Sequence, residues 1–503
     1  MKKLLLIISL FLIQMPYMMG QWTSPGKGTL FTLRDLLTMG DGSVTYEESK
    51  HAYVLHSDLT ISPDDQLSVV AEDFEMMDAD AGGIICQGDI TITVQGCLII
   101  DCGDDLDVYI EPDTVSHLQI ILDHTTDLCL FAHTKLYYLS GIQVNESQVE
   151  FYDCMFQSFD KSKTIGAVQF SNCDPVFTDC IFQGNYGSAI ACIPGSSGSP
   201  QIDHCEFRYN VLSKEDMPQL DFGPGGGDTI RIHNSRVVGL YPLVGGIRIS
   251  DNEKKGDTKV VIRNNFIADN RYGYLQQDGC IEAILQDNEI VCNQIAPSPE
   301  DDGFGVCVKG TTNQSKVTLR HNLIHSNLWG ILVYDQAVLD MGTAEEEGHN
   351  ILYNNHNSSS GTDQEYALFV EGENDVTAVG NYWGSDTEAY AESVIYHRPD
   401  LGDDHGLVTF TPILTVNDWS VEEQNDVAIK AYPNPTQGQV TLQVAKAQGF
   451  DYEVYNMNGQ LMMKGHAEGS ETVINMEPYP QGIYLISVKT DHQTKPIYQR
   501  IIR

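Results

Sequence analysis

The sequence predicts an all-β chain: a right-handed parallel β-helix followed by a small immunoglobulin-like β-sandwich. Three observations carry this expectation. A six-residue unit, Asn322-Leu323-Ile324-His325-Ser326-Asn327, recurs as CIFQGN from Cys180, CEFRYN from Cys205, NFIADN from Asn265, NEIVCN from Asn288 and NILYNN from Asn350, with weaker copies from Cys154 and Ser235. Neighbouring first positions lie 26, 25, 30, 30, 23, 34 and 28 residues apart, a period that belongs to solenoids. Each unit follows a short alternating run such as Lys259-Val260-Val261-Ile262-Arg263. Two or three short strands per repeat leave no length for a helix, which argues against leucine-rich and ankyrin-type repeats.

Two columns of different chemistry keep register through the repeat. The first holds Cys154, Cys180, Cys205, Ser235, Asn265, Asn288, Asn322 and Asn350, all small residues able to turn a backbone. The third holds Phe156, Phe182, Phe207, Val237, Ile267, Ile290, Ile324 and Leu352, all apolar. In a stack with a rung spacing of about 4.8 Å, an inward Asn at a bend bonds its amide to the Asn above and below, at a net gain of about 1 kcal/mol each. The apolar column fills the interior.

In chain order, residues 1–20 read as a secretory signal peptide, with Lys2 and Lys3 before the apolar run Leu4 to Ile13. That run is too short to span a bilayer, and no second apolar run of about 18 residues follows, so no transmembrane helix is expected in the mature protein. Residues 21–50 form the N-terminal capping segment, where Thr32 and Asp35 have the spacing of a capping box at the start of a short helix. A solenoid end left uncapped would expose core and strand edges. The β-helix is expected over 51–415, an acidic linker over 416–427 and a separate module over 428–503.

The formal charge of −41 is concentrated in the body, because residues 421–503 hold nine acids and seven bases. Such a surface excludes nucleic acid as a partner and disfavours any anionic polymer not bridged by cations. Carboxylate runs at Asp104, Asp105 and Asp107 and at Glu300, Asp301 and Asp302 are the candidate calcium ligands, calcium being the cofactor such oxygen clusters take. The twelve cysteines invite disulfides in an exported chain. Cys154, Cys180 and Cys205 instead share a ladder column and are expected to be stacked, buried thiols, while Cys97 and Cys102 are close enough in sequence for a local disulfide loop. His321 and His325 flank a ladder Asn on a strand-turn unit, which puts no two ligands together.

Long repeat intervals place surplus residues at 211–228, 294–303 and 335–349, expected to collect on one flank as a binding surface. Aromatic residues able to stack on sugar rings stand nearby at Tyr209, Phe222, Tyr241, Phe304, Trp329 and Tyr334.

At Asn381-Tyr382-Trp383-Gly384 the chain resembles the closing rung of secreted right-handed parallel β-helix proteins, the superfamily of pectate lyases and polygalacturonases. The fold carries that resemblance and the active sites do not, since no polygalacturonase-like acid set and no dense Lys/Arg cluster is present. The tail is more specific. Ala431-Tyr432-Pro433-Asn434-Pro435-Thr436-Gln437-Gly438, then Val454-Tyr455-Asn456-Met457-Asn458-Gly459-Gln460, then Pro480-Gln481-Gly482-Ile483-Tyr484-Leu485-Ile486, and a basic end at Gln499-Arg500-Ile501-Ile502-Arg503 resemble the type A C-terminal sorting domain of the type IX secretion system. The resemblance implies the type IX machinery as a partner, export across the outer membrane, removal of the tail, and attachment to surface lipopolysaccharide. Two functional classes follow: a surface β-helix that binds an extracellular glycan without turnover, which the missing catalytic set favours, and a polysaccharide lyase or glycoside hydrolase.

Overall fold

The computed structural model describes residues 21–416 and 429–503, apart from 40, 75–80, 104–106, 114–115, 161–164, 214, 252–256, 296–301, 313, 359–362, 433–435, 437, 445–446, 457–460, 481–482 and 491–496. The expected signal peptide and nearly all of the linker therefore lie outside the described residues. The chain forms two compact units, Met1–Val416 and Asn417–Arg503.

The first unit is a right-handed parallel β-helix of three long sheets, visited in the order A, B, C until Ile351–Tyr353, after which the described strands of the last two turns lie in A and B only. Among the described residues sheets A and B each contain 14 strands and sheet C contains 13. The rung that contains the defining repeat runs through Phe304–Gly310 in sheet A, Lys316–Arg320 in sheet B and Leu323–His325 in sheet C. Its neighbours pair in parallel at every position of the register.

Sheet C strands are three residues long in most rungs because each is pinned between two sharp corners. At the corner from B to C, Asp179, His204, Asn234, Asn264, Asp287, His321 and His349 all adopt positive φ between 50° and 57°. Each directly precedes a first-column residue. Left-handed backbone is costly for most side chains, and Asn, Asp and His are the non-glycine types that enter it most readily. That requirement accounts for His321, whose ring stacks on His349 at 5.0 Å.

The first column forms the expected ladder. Asn265 Nδ2 donates to Asn288 Oδ1 at 3.0 Å, Asn288 to Asn322 at 2.9 Å, Asn322 to Asn350 at 2.9 Å and Asn350 to Asn381 at 2.9 Å. The same Oδ1 atoms also accept the backbone N–H of the preceding Asn, as Asn322 Oδ1 does from Asn288 N at 3.1 Å. Upstream the ladder changes chemistry: Cys154, Cys180 and Cys205 are buried free thiols, each donating to backbone carbonyls at 3.3 to 3.6 Å. The third column is fully inside, with Phe156 stacked on Phe182 at 4.2 Å.

A second ladder runs along the corner from C to A, built from the last residue of the unit. It joins Asn185 to Asn210 at 2.7 Å, Asn270 to Asn293 at 3.2 Å, Asn293 to Asn327 at 3.1 Å and Asn327 to Asn355 at 3.0 Å. One rung carries Leu240 instead of Asn, and Gln219 fills the gap from sheet A. Asn210 Nδ2 donates to Gln219 Oε1 and Gln219 Nε2 donates to Asn270 Oδ1, both at 3.0 Å. Glycine is required opposite this ladder. A Cβ on Gly330 would lie 2.4 Å from the Ala367 carbonyl oxygen and 3.1 Å from Asn355 Nδ2.

Three expectations are corrected. The helix Leu33–Thr38 does carry a capping box between Thr32 and Asp35, yet the rungs start well before residue 50. Trp22–Thr23 pairs with Leu59 and Thr60 in sheet A, and Leu30–Thr32 joins sheet B. Asp65 fastens this first turn by accepting from the N–H groups of Gly26, Lys27 and Thr29 at 2.6 to 2.9 Å. Burial works against its charge, but Ser24 and these three amides overcome it and hold the carboxyl at about 2. Cys97 and Cys102 are both free. Cys97 opens the extended strand Cys97–Asp101 and Cys102 follows its last residue, and about 3.3 Å per residue keeps them apart.

The surplus segments do not share one flank. The stretch 211–228 contains the sheet A strand Met217–Phe222, and 335–349 contains the sheet B strand Val338–Asp340. Of what remains, the described residues lie at all three corners: 211–213, 215–216, 294–295 and 302–303 from C to A, 223–228 from A to B, and 341–349 from B to C. Strand lengths vary between rungs, so a long interval is not by itself a loop.

The C-terminal unit is a two-sheet antiparallel sandwich. Strands Ile429–Tyr432, Gln439–Val444 and Glu471–Asn475 form one sheet, and Leu461–Ala467, Phe450–Asn456, Ile483–Thr490 and Ile497–Ile502 form the other. Val440, Leu442, Phe450, Val454, Ile474 and Ile486 fill the space between them. The Asn458-Gly459 turn lies outside the described residues, and the strands on either side pair as a hairpin.

Gln219→Ala should strand both Asn210 Nδ2 and Asn270 Oδ1, lowering stability by on the order of 3 kcal/mol. The surface control Glu150→Ala, at an exposed strand position, should change it by no more than about 0.5 kcal/mol. Urea unfolding of the two variants checks this, and equal midpoints would contradict the bridging role of Gln219.

Candidate functional site

Strand residues alternate between the interior and the outer face of each sheet. In sheet A the outward column runs, rung by rung, through Gln143, Gln169, Ala191, Asp221, Arg248, Leu275, Cys307, Leu332, Phe369 and Tyr396. Its chemistry changes along the axis from polar, through charged, to apolar.

The apolar end is a second core outside the solenoid. Tyr272, Phe304, Cys307 and Leu332 are buried in it, with Leu275, Trp329, Tyr334 and Phe369 packed around them. Tyr272 and Phe304 stack at 5.2 Å with 13° between planes. Trp329 packs on Tyr366 at 4.3 Å and on Phe369 at 5.5 Å, and Tyr366 packs on Tyr396 at 4.8 Å. Phe304 and Trp329 share inward parity with Val306 and Ile331, but each precedes a glycine at the corner and joins the outer cluster instead. Lys309 Nζ lies 4.8 Å from the centre of the Tyr334 ring.

The charged segment is paired. Arg248 Nε and Nη2 donate to the two oxygens of Asp221 at 2.9 and 2.6 Å, the fork geometry that makes such pairs strong. Burial works against the Arg248 charge, and Asp221 overrides it, holding the guanidinium above its ordinary range. Arg271 lies one residue past the second ladder and has Nε 2.9 Å from Asp302 Oδ1. Its other arm holds Asp216, so one guanidinium ties together two segments at the corner from C to A. Beside Asp221, Arg248 and Ser250 a hollow of about 260 Å³ opens toward Cys192, Ser196 and Gly223. A larger hollow, about 430 Å³, lies among Glu146, Glu150, Asn172 and Asp174, and no aromatic residue lines it.

Of the six aromatic residues expected to meet a ligand, Phe304, Trp329 and Tyr334 come together in this cluster. Phe222 does not: it is fully buried in the solenoid interior, because it takes the inward parity of its strand. Tyr209 occupies a positive-φ corner position before Asn210, and Tyr241 lies in the turn before Val244; neither joins the cluster. Among the candidate calcium ligands, Asp104, Asp105, Glu300 and Asp301 lie outside the described residues, and Asp107 opens a sheet C strand. Asp302 is buried in its ion pair with Arg271. Among the described residues no group of three or more His, Cys, Asp or Glu side chains is arranged to hold a metal ion.

Sequence reasoning missed Tyr272, Tyr366, Phe369 and Tyr396, and both arginines. A signal was present in the strands WGILVYD from Trp329 and FGVCVKG from Phe304, which are apolar at both parities where a one-sided strand would alternate.

Residues 430–502 match the family described as Secretion system C-terminal sorting domain. The C-terminal unit is a secretion-system sorting domain. It marks the chain for type IX export and for the cell surface or the medium. Residues 228–387, which include most of the outer cluster, match a family described as Protein of unknown function (DUF1565). No curated protein matches the chain. Similar solved structures include the periplasmic alginate epimerase AlgG, at 10% identity and a TM-score of 0.46, covering 77% of this chain and 81% of that one. A point mutant of that epimerase is similar at 11% identity and a TM-score of 0.41, with the same coverage. Among the described residues no helix is long and apolar enough to cross a membrane.

Removing residues 428–503, the sorting domain, should leave the β-helix folded and held in the periplasm. Fractionation and surface proteolysis check this, and display of the truncated chain at the surface or in the medium would contradict it.

Proposed function

We propose that the protein is an exported β-helix that binds an extended extracellular glycan along the outer face of sheet A and does not cleave it. The observation that carries this reading is the row of half-buried rings on successive rungs, Trp329, Tyr334, Tyr366, Phe369 and Tyr396, held in place by the buried Tyr272, Phe304 and Leu332 beneath them. Packing explains the buried members, whereas the ring edges left open to solvent form a contiguous aromatic surface, which marks a binding site. Successive rungs stand about 4.8 Å apart, so the platform offers a repeating contact parallel to the axis, suited to a polymer of repeating rings.

The charges favour a neutral or calcium-bridged chain. Arg248 and Arg271 are each bound to carboxylates, which leaves little positive field for a uronate, and the body as a whole is strongly acidic. Attachment to surface lipopolysaccharide after removal of the sorting domain would present this platform to the medium.

One observation favours the second reading, a polysaccharide lyase or hydrolase. At the C-terminal end of the helix, Tyr390 donates to Glu365 at 2.5 Å and His356 stands 3.8 Å from the same carboxylate oxygen. The other oxygen, Glu365 Oε1, is buried without a hydrogen-bond partner. Burial and this carboxylate push the Tyr390 phenol up to about 12, where it acts as a proton donor rather than a base.

Affinity electrophoresis of the mature protein through plant, algal and host polysaccharides, with and without calcium, should show retention on at least one. Trp329→Ala and Phe369→Ala should each weaken that retention about tenfold, equivalent to roughly 1.4 kcal/mol, and Gln143→Ala should not. Release of reducing ends or an unsaturated-uronate absorbance would establish an enzyme instead. Retention on none would point to a protein ligand.

A further inference from the structure

Among the cysteines that ladder packing does not explain, two approach each other. Cys97 and Cys129 sit on adjacent strands of sheet B, Cys97–Asp101 and Cys129–Ala132, which pair in parallel with Leu130 opposite Ile99. Continuing that register places Cys129 opposite Leu98, one position diagonal from Cys97. Cys97 Sγ donates to the Leu128 carbonyl at 3.2 Å, and Cys129 Sγ accepts from the Leu98 N–H at 3.4 Å. Each sulfur therefore touches a peptide group bonded directly to the other cysteine, so the two sulfurs flank the same small patch of backbone. Strands about 4.8 Å apart, offset by about 3.3 Å, separate the two Cα atoms by about 5.8 Å, inside the range a disulfide spans.

We propose that Cys97 and Cys129 are a disulfide-forming pair, oxidised during export to join two adjacent rungs near the N-terminal end of the solenoid. The sorting domain sends the chain through an oxidising compartment. Both side chains are buried in the finished fold, with Cys97 at 4% and Cys129 at 0% exposure, so oxidation precedes closure of these rungs. The oxidant is a protein disulfide of that compartment. One cysteine thiolate attacks it, forming a mixed disulfide and releasing one oxidant thiol. The second cysteine then displaces the other oxidant sulfur. Two electrons and two protons pass to the oxidant, which leaves as a dithiol. Contact with the Cys97 thiol pulls the Cys129 ionisation down against its burial, and the same contact pushes Cys97 up.

The column Cys154, Cys180 and Cys205 provides an internal control. Each of these thiols has its one S–H shared between two backbone carbonyls, and oxidation of any pair would remove that donor from each partner.

The test uses the mature exported protein, denatured without reductant in excess iodoacetamide and cleaved on the N-terminal side of aspartates. This cleavage puts Cys86, Cys97, Cys102 and Cys129 on four different peptides. Ten of the twelve cysteines should be alkylated, and the peptides containing Cys97 and Cys129 should travel as one species, 2 Da lighter than their sum, that separates on reduction. Alkylation of both residues, or linkage of either to a different cysteine, would overturn the proposal.

Discussion

The buried asparagine amide is the interaction on which the rest of this molecule depends. An amide inside an apolar solenoid is expensive unless each donor and acceptor is met, and stacking one directly over another meets them. Asn322 shows the complete arrangement: its amide donates to Asn350 and to the Leu285 carbonyl, and its oxygen accepts from the amide and the backbone of Asn288. The ladder dictates a left-handed residue before it at the corner from B to C, and glycine opposite its second copy in sheet A. It sets the rung register, and the register is what aligns side chains on the outer face.

The candidate site is a consequence of that alignment rather than a feature added to it. Because the outward position of sheet A repeats once per rung, a change of residue type along the axis becomes a change of surface chemistry along a line. Polar amides give way to the Arg248–Asp221 pair and then to the aromatic cluster. Arg271 links the two systems, since it follows Asn270 of the second ladder directly and clamps Asp216 and Asp302 beside the platform. With these carboxylates already neutralised, recognition there rests on apolar contact and on neutral hydrogen bonds.

Much of the fold was legible because the ladder is written in residue type at a nearly fixed period. The first column, the interior Phe and Ile column, the capping box at Thr32 and the stacked thiols were all readable from spacing. Gln219 was not, because it completes the ladder from a different strand and so breaks the repeat that identifies it. The position of the surplus segments was also hidden, since an interval reports total length and cannot divide a strand of six residues from a loop. Phe222 was misread for the same reason: its strand was taken for a loop, and only the strand's register turns that ring inward. The outer cluster was half legible. Trp329, Phe304 and Tyr334 were conspicuous by type, while Tyr366 and Tyr396 join them only through neighbouring rungs far apart in sequence.

The most direct measurement is a crystal structure of the mature body with an oligosaccharide cut from a polymer that it retains. Sugar rings should lie parallel to the helix axis against Trp329, Phe369 and their neighbours on the outer face of sheet A, with the Arg248–Asp221 pair intact. Sugar bound on sheet B or C, or in the acidic hollow between Glu146 and Asp174, with the aromatic cluster bare, would contradict this placement.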